Sequence, residues 1–299
     1  MSGIGASQTI GQILMDGAGM KRARRSRFWT ALRRNRLALV GLVIVAIGTI
    51  AAIGANALAP YDPVQISARA RLVGPSMSHL MGTDNLGRDT LSRVLYGVRM
   101  SVVIAVLSIT VAGAVGVVVG LVSGYFGRWV DEVAMRVMDV LYAIPELLLA
   151  LALVATFGTG LKSLITAIAI GRIPGFARIT RGAVLSVREN EYISAARTVG
   201  LRDAQIIRRH ILPNVLAPII VIASISLAIA ILVEASLSFL GLGIQPPTPS
   251  LGGLLNEAQS YMQNAPWMAI FPGVTIAAIV FGLNMLGDGL RDALDPSLK

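Results

Sequence analysis

The chain has 299 residues, no cysteine and only two histidines. Without thiols it can form neither disulfides nor thiolate metal sites. His79 and His210 are far apart in the sequence, and neither stands in a metal-ligand spacing. The sequence therefore predicts neither a metal site nor a resident cofactor.

Charge is scarce as well, at 14% of the residues, whereas 55% are hydrophobic. A soluble domain carries about 25% charged residues, so this dilution indicates a membrane protein. The formal net charge is +10. In a soluble protein that charge would suggest a nucleic-acid partner. In a membrane protein it is typical of basic segments kept on the inner side and attracted to anionic lipid.

Motifs for hydrolytic chemistry are also missing. GTGLKS at residues 158–163 is similar to a phosphate loop, but Leu161 stands where Walker A needs glycine. Neither HExxH nor GxSxG occurs, and the acids of DNLGRD at 84–89 break the EF-hand spacing. We predict no catalytic residue and no enzyme activity.

Six apolar runs are each long enough to span a bilayer, since about 20 helical residues cross ~30 Å of hydrocarbon. They predict an all-α, polytopic membrane protein with about six transmembrane helices. Pro145 interrupts the third run, and Pro174 with Gly175 can break the fourth. The runs are residues 37–58, 101–126, about 137–157, 161 to about 178, 211 to about 240, and 267 to about 286.

The basic residues predict the orientation of these helices. Eight of them lie between residues 21 and 36, so the N-terminus is predicted to be cytoplasmic. Six crossings return the C-terminus to the cytoplasm and put the basic segment 180–211 inside. Residues 241–266, which contain no Lys or Arg, then lie outside. Residues 59–99 also fall outside despite five arginines, because long loops bias topology less.

The polar segment YISAARTVGLRDAQIIRRHILPN at residues 192–214 predicts a helical hairpin. Its first helix carries small and apolar residues at i, i+3, i+4 and i+7, namely Tyr192, Ala195, Ala196 and Val199. Gly200 is typical of a left-handed helix cap. Asp203 suits the first turn of a second helix. The second helix has an apolar stripe of Ala204, Ile207 and Ile211 and ends near Pro213.

An apolar stripe on a polar hairpin needs a covering surface. One alternative is that the hairpin packs on the helix ends of its own chain, and the other is that it docks into a groove on a partner protein. A basic hairpin of this kind could also bind nucleic acid as a helix–turn–helix. A membrane enzyme is a further alternative, against which the missing motifs weigh.

The pattern SAA…G…ILPN in this segment resembles the EAA loop of ABC importer permeases. In that family the loop carries a short coupling helix that inserts into the nucleotide-binding subunit. Ser194 stands at the first position of the triplet, where the family has glutamate. The resemblance implies an ATPase-coupling role for Tyr192, Ser194, Ala195, Ala196, Val199, Gly200, Leu201, Ile211, Leu212 and Pro213.

Further segments resemble the dipeptide/oligopeptide permeases. They are FWTALRRNRLALVGL, APYDP, HLMGTDNLGRDTLSRVLYGVRMS, residues 234–258 and NMLGDGLRDALDP, in order from about residue 27 to the end. The chain is similar to the second, "C"-type permease of peptide, glutathione or nickel importers. The third segment gives a family motif of Gly82, Thr83, Asp84, Gly87, Arg88, Asp89, Ser92 and Arg93. Either Asp–Arg pairing ties this loop down, or the loop closes an outer gate or meets a substrate-binding protein.

The resemblance implies a type I ABC importer transmembrane domain in the bacterial inner membrane. Its expected partners are a homologous permease, two ATPases, an extracytoplasmic substrate-binding protein and membrane lipid, and no nucleic acid. The expected solute is a dipeptide or short oligopeptide, with glutathione, nickel chelates or another small solute as alternatives. The predicted domains are a basic segment 1–36, a first helix and outer loop 37–99, a core 100–290 with coupling loop 182–213, and a tail 291–299.

Two acids in the apolar runs are candidate pathway residues. Glu146 and Glu234 would be costly to place in a bilayer unless they face the bundle interior or a water-filled path. The alternative is that they pair structurally with arginines such as Arg172 or Arg178.

Overall fold

A computed structural model describes residues 35–294, and this part of the chain is built from α-helices. Residues 1–34 and 295–299, which include most of the predicted N-terminal segment and tail, lie outside the described residues. The helices are α1 (Arg36–Leu58), α2 (Thr90–Phe126), α3 (Arg128–Ala143), α4 (Glu146–Phe157), α5 (Leu161–Arg188), α6 (Glu191–Thr198), α7 (Asp203–Ile206), α8 (Leu212–Phe239), α9 (Leu251–Ala258) and α10 (Trp267–Leu294).

The predicted apolar runs correspond to helices of the structure. Within residues 35–294, four helical segments are long and apolar enough to cross a membrane: α1, α2, Asp203–Phe239 and α10. A fifth crossing results if α3 and α4, which are bent by 89°, form one span. The 28-residue helix α5 matches the fourth predicted run. It contains several arginines, however, and is not among the helices that are apolar enough to cross a membrane.

Two predicted helix limits differ from the structure, and one agrees with it. Helix α2 begins at Thr90 and not at Ser101, because the side chain of Asp89 caps it by accepting a hydrogen bond from the Ser92 amide. The fourth run does not break at Pro174 and Gly175, since α5 continues to Arg188 with Pro174 inside it. Pro145 does interrupt the third run and stands at the N-cap of α4.

Helices α2 and α5 pack together through glycines of α2. A Cβ atom on Gly116 would lie 2.7 Å from the carbonyl oxygen of Ile173, and one on Gly120 would lie 2.5 Å from that of Ala177. The glycines occur every four residues, as small residues do where helix backbones approach closely. Because contacts advance by four residues in both helices, α2 and α5 run parallel. The close packing at these glycines therefore lies within the chain.

A connection between two parallel helices has to return along their length, and α3 and α4 do so. Acidic residues of α3 and α4 pair with arginines of α5 at successive levels, which we call the acid–arginine ladder. Its pairs are Asp131–Arg181 at 2.5 and 2.6 Å, Asp139–Arg178 at 2.7 Å and Glu146–Arg172 at 2.7 Å. The ladder holds the returning segment against α5.

The core lies where α2, α5 and α8 meet, and α10 packs against α1 and α8. Its largest buried side chains include Phe176, Ile104 and Ile168. Helix α1 contacts α10 through Gly41, whose Cβ would lie 2.7 Å from the carbonyl oxygen of Gly282. The other faces of α1 expose Ile47 and Ile53 at 62% and 79%, which suits contact with lipid.

We expect Gly120→Ala to destabilise the chain by about 1–3 kcal/mol, because the added methyl group overpacks the α2–α5 contact. Gly113→Ala is the matched control, since its Cβ would lie 3.5 Å from the nearest atom of the Phe176 ring, an ordinary contact. The control should be neutral or slightly stabilising. Thermal unfolding midpoints in detergent measure both effects, and equal midpoints for the two variants would contradict the packing described.

Candidate functional site

The hairpin and the Gly82–Arg93 motif lie at opposite ends of α2. The motif leads into the first turns of α2, whereas Tyr125, near its last residue, contacts the hairpin. Helix α2 has 37 residues, about 55 Å at 1.5 Å per residue. The two candidate sites are therefore separate.

The turn of the hairpin has the predicted left-handed glycine. Gly200 has φ +82°, and its amide donates to the carbonyl oxygen of Arg197 at 2.9 Å. The amide of Leu201 donates to the carbonyl oxygen of Ala196 at 3.2 Å. This pair of bonds is a Schellman motif, which satisfies carbonyl groups at the end of α6.

The first helix of the hairpin has an inner and an outer face. Ile193 and Ala196 are buried against the ends of α2, α5 and α8, and burying an isoleucine contributes about 1.5–3 kcal/mol. Tyr192 and Val199 are 44% and 81% exposed, and Ala195 is exposed as well. The predicted single stripe is thus wrong for Ala196, which points inward, and it omitted Ile193. We call Tyr192, Ala195 and Val199 the exposed face.

The second helix differs more from its predicted pattern. Ile206 and Ile211 are fully buried, whereas Ala204 is exposed. Ile207–Ile211 form a π-helical turn, in which residues five apart lie on one side. The helix does not end near Pro213, because Asp203–Phe239 is one continuous helical segment. Pro213 is the second residue of α8 and follows directly after this π turn.

Polar contacts fix the hairpin to the neighbouring helices. The Tyr125 hydroxyl donates to the Asp203 carboxylate at 2.5 Å, and the Arg197 guanidinium lies 5.1 Å from the centroid of the Tyr125 ring. Asn214 Nδ2 lies 3.3 Å from the Tyr192 hydroxyl, to which it donates. The hairpin is therefore tied to α2 and to the start of α8.

At the other end of α2, the family motif forms a compact turn. Gly82 and Gly87 have φ values of +71° and +77°, and a Cβ on Gly87 would lie 1.9 Å from the carbonyl oxygen of Ser67. Glycine is therefore required at position 87 both for its φ value and for its closeness to Ser67. The carbonyl oxygen of Thr83 accepts from Trp267 Nε1 at 3.0 Å, which joins the turn to α10.

Four charged residues of this region form a buried network, which we call the Asp84 network. Arg88 donates to Asp84 at 2.6 Å and to Glu257 at 2.8 Å. Arg93, only 2% exposed, donates to Asp84 and makes two bonds to Glu257 at 2.8 and 3.0 Å. The two positive charges of the arginines balance the two negative charges of the acids, and charges in a buried cluster need such partners. The pairing of Asp84 with arginine agrees with the first alternative given for this loop.

Glu257, on α9, is the member of this network that the sequence did not indicate. It lies far along the chain from the motif, in a segment without any Lys or Arg. The remaining polar residues of the motif have local partners. Asp89 accepts from the Ser92 amide and hydroxyl, both at 2.8 Å, and from His79 Nδ1 at 2.9 Å.

The two candidate pathway acids have different surroundings. Glu146 accepts from Arg172 Nε at 2.7 Å and contacts Arg172 Nη2 as well; this is the structural pairing named as the alternative. The pair nevertheless lines a cavity of about 460 Å³. Glu234 is fully buried and accepts from the hydroxyls of Ser101 and Ser238 at 2.6 and 2.8 Å. A solute cannot reach Glu234 in this conformation.

Metal binding gains no support from the described part of the chain. Residues 35–294 contain no group of three or more His, Asp or Glu side chains that could hold a metal ion.

Two family models match the sequence. The model described as "Binding-protein-dependent transport system inner membrane component" matches residues 116–299, more than half of the chain. The model described as "N-terminal TM domain of oligopeptide transport permease C" matches residues 24–75.

Curated relatives match over nearly their whole length. The dipeptide transport system permease protein DppC of Alkalihalophilus pseudofirmus is 45% identical over 268 residues, covering 90% of this chain and 88% of the relative. The glutathione transport system permease protein GsiD of Pectobacterium atrosepticum is 45% identical over 273 residues, covering 91% of both.

Solved transporters share the fold. The MetNI methionine ABC transporter in an inward-facing conformation superposes with a TM-score of 0.57 at 20% identity, covering 69% of this chain and 97% of that chain. An amino acid ABC transporter solved with histidines gives a TM-score of 0.52 at 18% identity, covering 67% and 94%. At these identities the likeness concerns the fold, which is that of a type I importer.

The family models and the relatives together show what kind of protein this is. They agree with the all-helical fold and with the apolar spans. The chain belongs to the family of binding-protein-dependent transport system inner membrane components, as a membrane-embedded permease subunit of a bacterial ABC importer.

Proposed function

We propose that this permease forms one half of the translocation pathway of an ATP-driven importer for dipeptides or short oligopeptides. The observation that carries the proposal is the hairpin. Its exposed face leaves Val199 81% and Tyr192 44% accessible in the described chain, and its second helix is continuous with α8. A push on the exposed face would therefore be transmitted to a membrane helix.

The proposed partners follow from the family. Two ATPase subunits would each offer a groove to a coupling hairpin, one on this chain and one on a homologous permease that supplies the other half of the pathway. The hairpin buries Ile193 and Ala196 against its own chain and keeps Tyr192, Ala195 and Val199 for the ATPase groove, in the helix-in-groove mode. ATP hydrolysis would occur on the ATPases.

Coupling follows from the connections of the hairpin. ATP closes the ATPase dimer, the dimer moves the hairpin, and the hairpin tilts α8 and the helices packed on it between inward-open and outward-open states. The inward-open and outward-open states must make different contacts with the ATPases. A contact that is the same in both states does not shift the equilibrium between them. The Tyr125–Asp203 bond of 2.5 Å makes α2 part of the same moving unit.

The proposed orientation puts the hairpin and both termini in the cytoplasm. The Asp84 network and residues 241–266 then face the substrate-binding protein. Asp84 and Arg88 lie at the end of the loop 59–89, and Arg93 lies in the first turns of α2. The network would therefore keep this outer surface fixed while the hairpin end moves.

The solute is proposed from the relatives. The names of the two relatives specify dipeptide and glutathione transport, and both solutes are small peptides with free ammonium and carboxylate groups. Dipeptides or short oligopeptides are the first candidate, and glutathione is the second. Nickel chelates and other small solutes are the further alternatives that the resemblance implies.

The turn can be tested at Gly200. A Cβ there would meet no atom within 4 Å, so substitution affects only the backbone. With φ at +82°, Gly200→Val should strain the turn by about 1–2 kcal/mol and reduce peptide uptake, whereas Gly200→Asn should retain it because asparagine tolerates this conformation. Uptake is measured at equal membrane insertion. Equal uptake by both variants would count against a role for the turn.

Docking can be tested by crosslinking, because the chain has no other thiol. Ser194→Cys should form a disulfide with a cysteine placed in the ATPase groove, where Cα atoms approach within about 4.4–6.8 Å, and the yield should change when ATP is trapped. Ile193→Cys, one residue away but fully buried, is the matched control. Gln245→Cys, at the opposite end of the permease, is the second.

Neither control should react with the ATPase. If Ser194→Cys links to no ATPase position while the complex still transports, the hairpin does not dock as proposed.

Orientation can be tested with a reporter that is active only outside the cytoplasm. A fusion after Pro249 should give signal, and a fusion after Arg202 should not, because the segment 241–266 lacks Lys and Arg and the segment 180–211 is basic. The reverse pattern, or signal from both fusions, would refute the proposed topology.

A further inference from the structure

A charged cavity lies beside the bend between α3 and α4. It measures about 460 Å³ and is lined by the end of α3, the start of α4, and by α5 and α8. Cavities that bind small molecules measure about 300–1,000 Å³ and combine apolar walls with a few polar groups. The polar side chains here are Tyr142, Glu146, Arg172, Arg178 and Ser226.

Glu146 and Arg172 form an ion pair of zero net charge in the wall of this cavity. Arg172 Nε donates to Glu146 Oε1 at 2.7 Å, and the two side chains are 22% and 17% exposed. Glu146 is the first residue of α4, where the helix dipole favours a negative charge. The pair is sheltered but reachable, unlike the fully buried Glu234.

Two glycines of α5 open the wall around the pair. A Cβ on Gly171 would lie 3.1 Å from Cγ of Glu146, so glycine gives this side chain room to cross α5. At Gly175, one turn further, a Cβ would meet nothing within 4 Å. Glycine weakens a helix interior, and packing does not require it at position 175. Its effect there is to widen the cavity.

A second cavity lies between this one and the hairpin. It measures about 630 Å³, has Ile179 and Ile222 in common with the first cavity and extends to Ser186, Asn214 and Arg291. Both cavities lie along α5 and α8. Asn214, which lines the second cavity, donates a hydrogen bond to Tyr192 of the hairpin.

We propose that Glu146 and Arg172 form a transient binding site for a zwitterionic solute, in which Glu146 receives its ammonium group and Arg172 its carboxylate. This inference rests on the proposed function. A zwitterion in a membrane cavity must exchange hydration for fixed partners of opposite charge. The pair supplies both partners, and when the solute leaves, Glu146 and Arg172 bond to each other again, so no charge stays unpaired.

The rest of the acid–arginine ladder provides a contrast. Asp131 and Arg181 make a similar two-bond pair between α3 and α5, at 2.5 and 2.6 Å, but neither residue lines the 460 Å³ cavity. Asp131→Asn therefore breaks another ladder pair of α5 without changing the proposed site.

The test uses the complete complex with its second permease and ATPases, in nanodiscs and without the binding protein. Thermal unfolding midpoints are measured against the concentration of dialanine, N-acetyl-dialanine and dialanine amide, with glutathione as a second zwitterion. The native complex should be stabilised by dialanine or glutathione. Capping either end of dialanine should weaken the effect about tenfold, since one charge-assisted hydrogen bond is lost.

Each variant should lose the ability to distinguish dialanine from only one of its two capped forms. Glu146→Gln should no longer distinguish dialanine from its N-acetyl form, and Arg172→Gln should no longer distinguish it from the amide. Asp131→Asn should lower the midpoint without ligand but keep both distinctions, as a purely structural pair would. If a single variant fails to assemble, the double variant Glu146→Gln/Arg172→Gln, which leaves no charge unpaired, should show no response to dialanine.

Wild-type discrimination in the Glu146 and Arg172 variants would overturn the inference, as would a native complex that neither zwitterion stabilises. The proposed function is tested separately, by the Ser194 crosslink. A complex that crosslinks there and transports, but whose pair variants bind dialanine as the native complex does, would contradict this site alone.

Discussion

The close parallel contact of α2 and α5 determines most of the architecture. Gly116 and Gly120 let the two backbones come into contact. Because the helices run parallel, the segment that connects them, α3 and α4, must run back along their length. The return places acids opposite the arginines of α5, so that charges which would be costly in a bilayer are paired. Both helices end at the same side, where their ends and the start of α8 bury Ile193 of the hairpin.

Continuity between the hairpin and α8 gives the permease a mechanical connection. The π turn Ile207–Ile211 keeps Ile206 and Ile211 on the buried side and passes directly into α8. A break at this point would separate the hairpin from the membrane helix. At the other end of α2, the Asp84 network joins the motif turn to α9 through Glu257. One end of the molecule is thus held together by the ion pairs of the Asp84 network, and the other end carries the exposed face of the hairpin.

Features that depend on neighbouring residues could be predicted from the sequence, and those that depend on tertiary contacts could not. The apolar runs, the capped turn at Gly200 and the interruption at Pro145 follow from local chemistry. Periodicity of 3.6 residues was right for Ile211 but gave Ala204 in place of Ile206, because a π turn puts residues five apart on the buried side. Proline and glycine at 174 and 175 did not break α5, since packing against α2 holds the helix. Glu257 carries no local signal, because its partners lie over 160 residues away.

The central claim is that the exposed face of the hairpin is the surface on which the ATPase acts. The most direct measurement is the rate at which a maleimide modifies Val199→Cys in the permease pair, before and after the ATPase subunits are added. Val199 is 81% exposed in the chain alone, so the account predicts rapid modification that slows strongly on assembly. A rate unchanged by assembly, in a complex that hydrolyses ATP and transports, would contradict it.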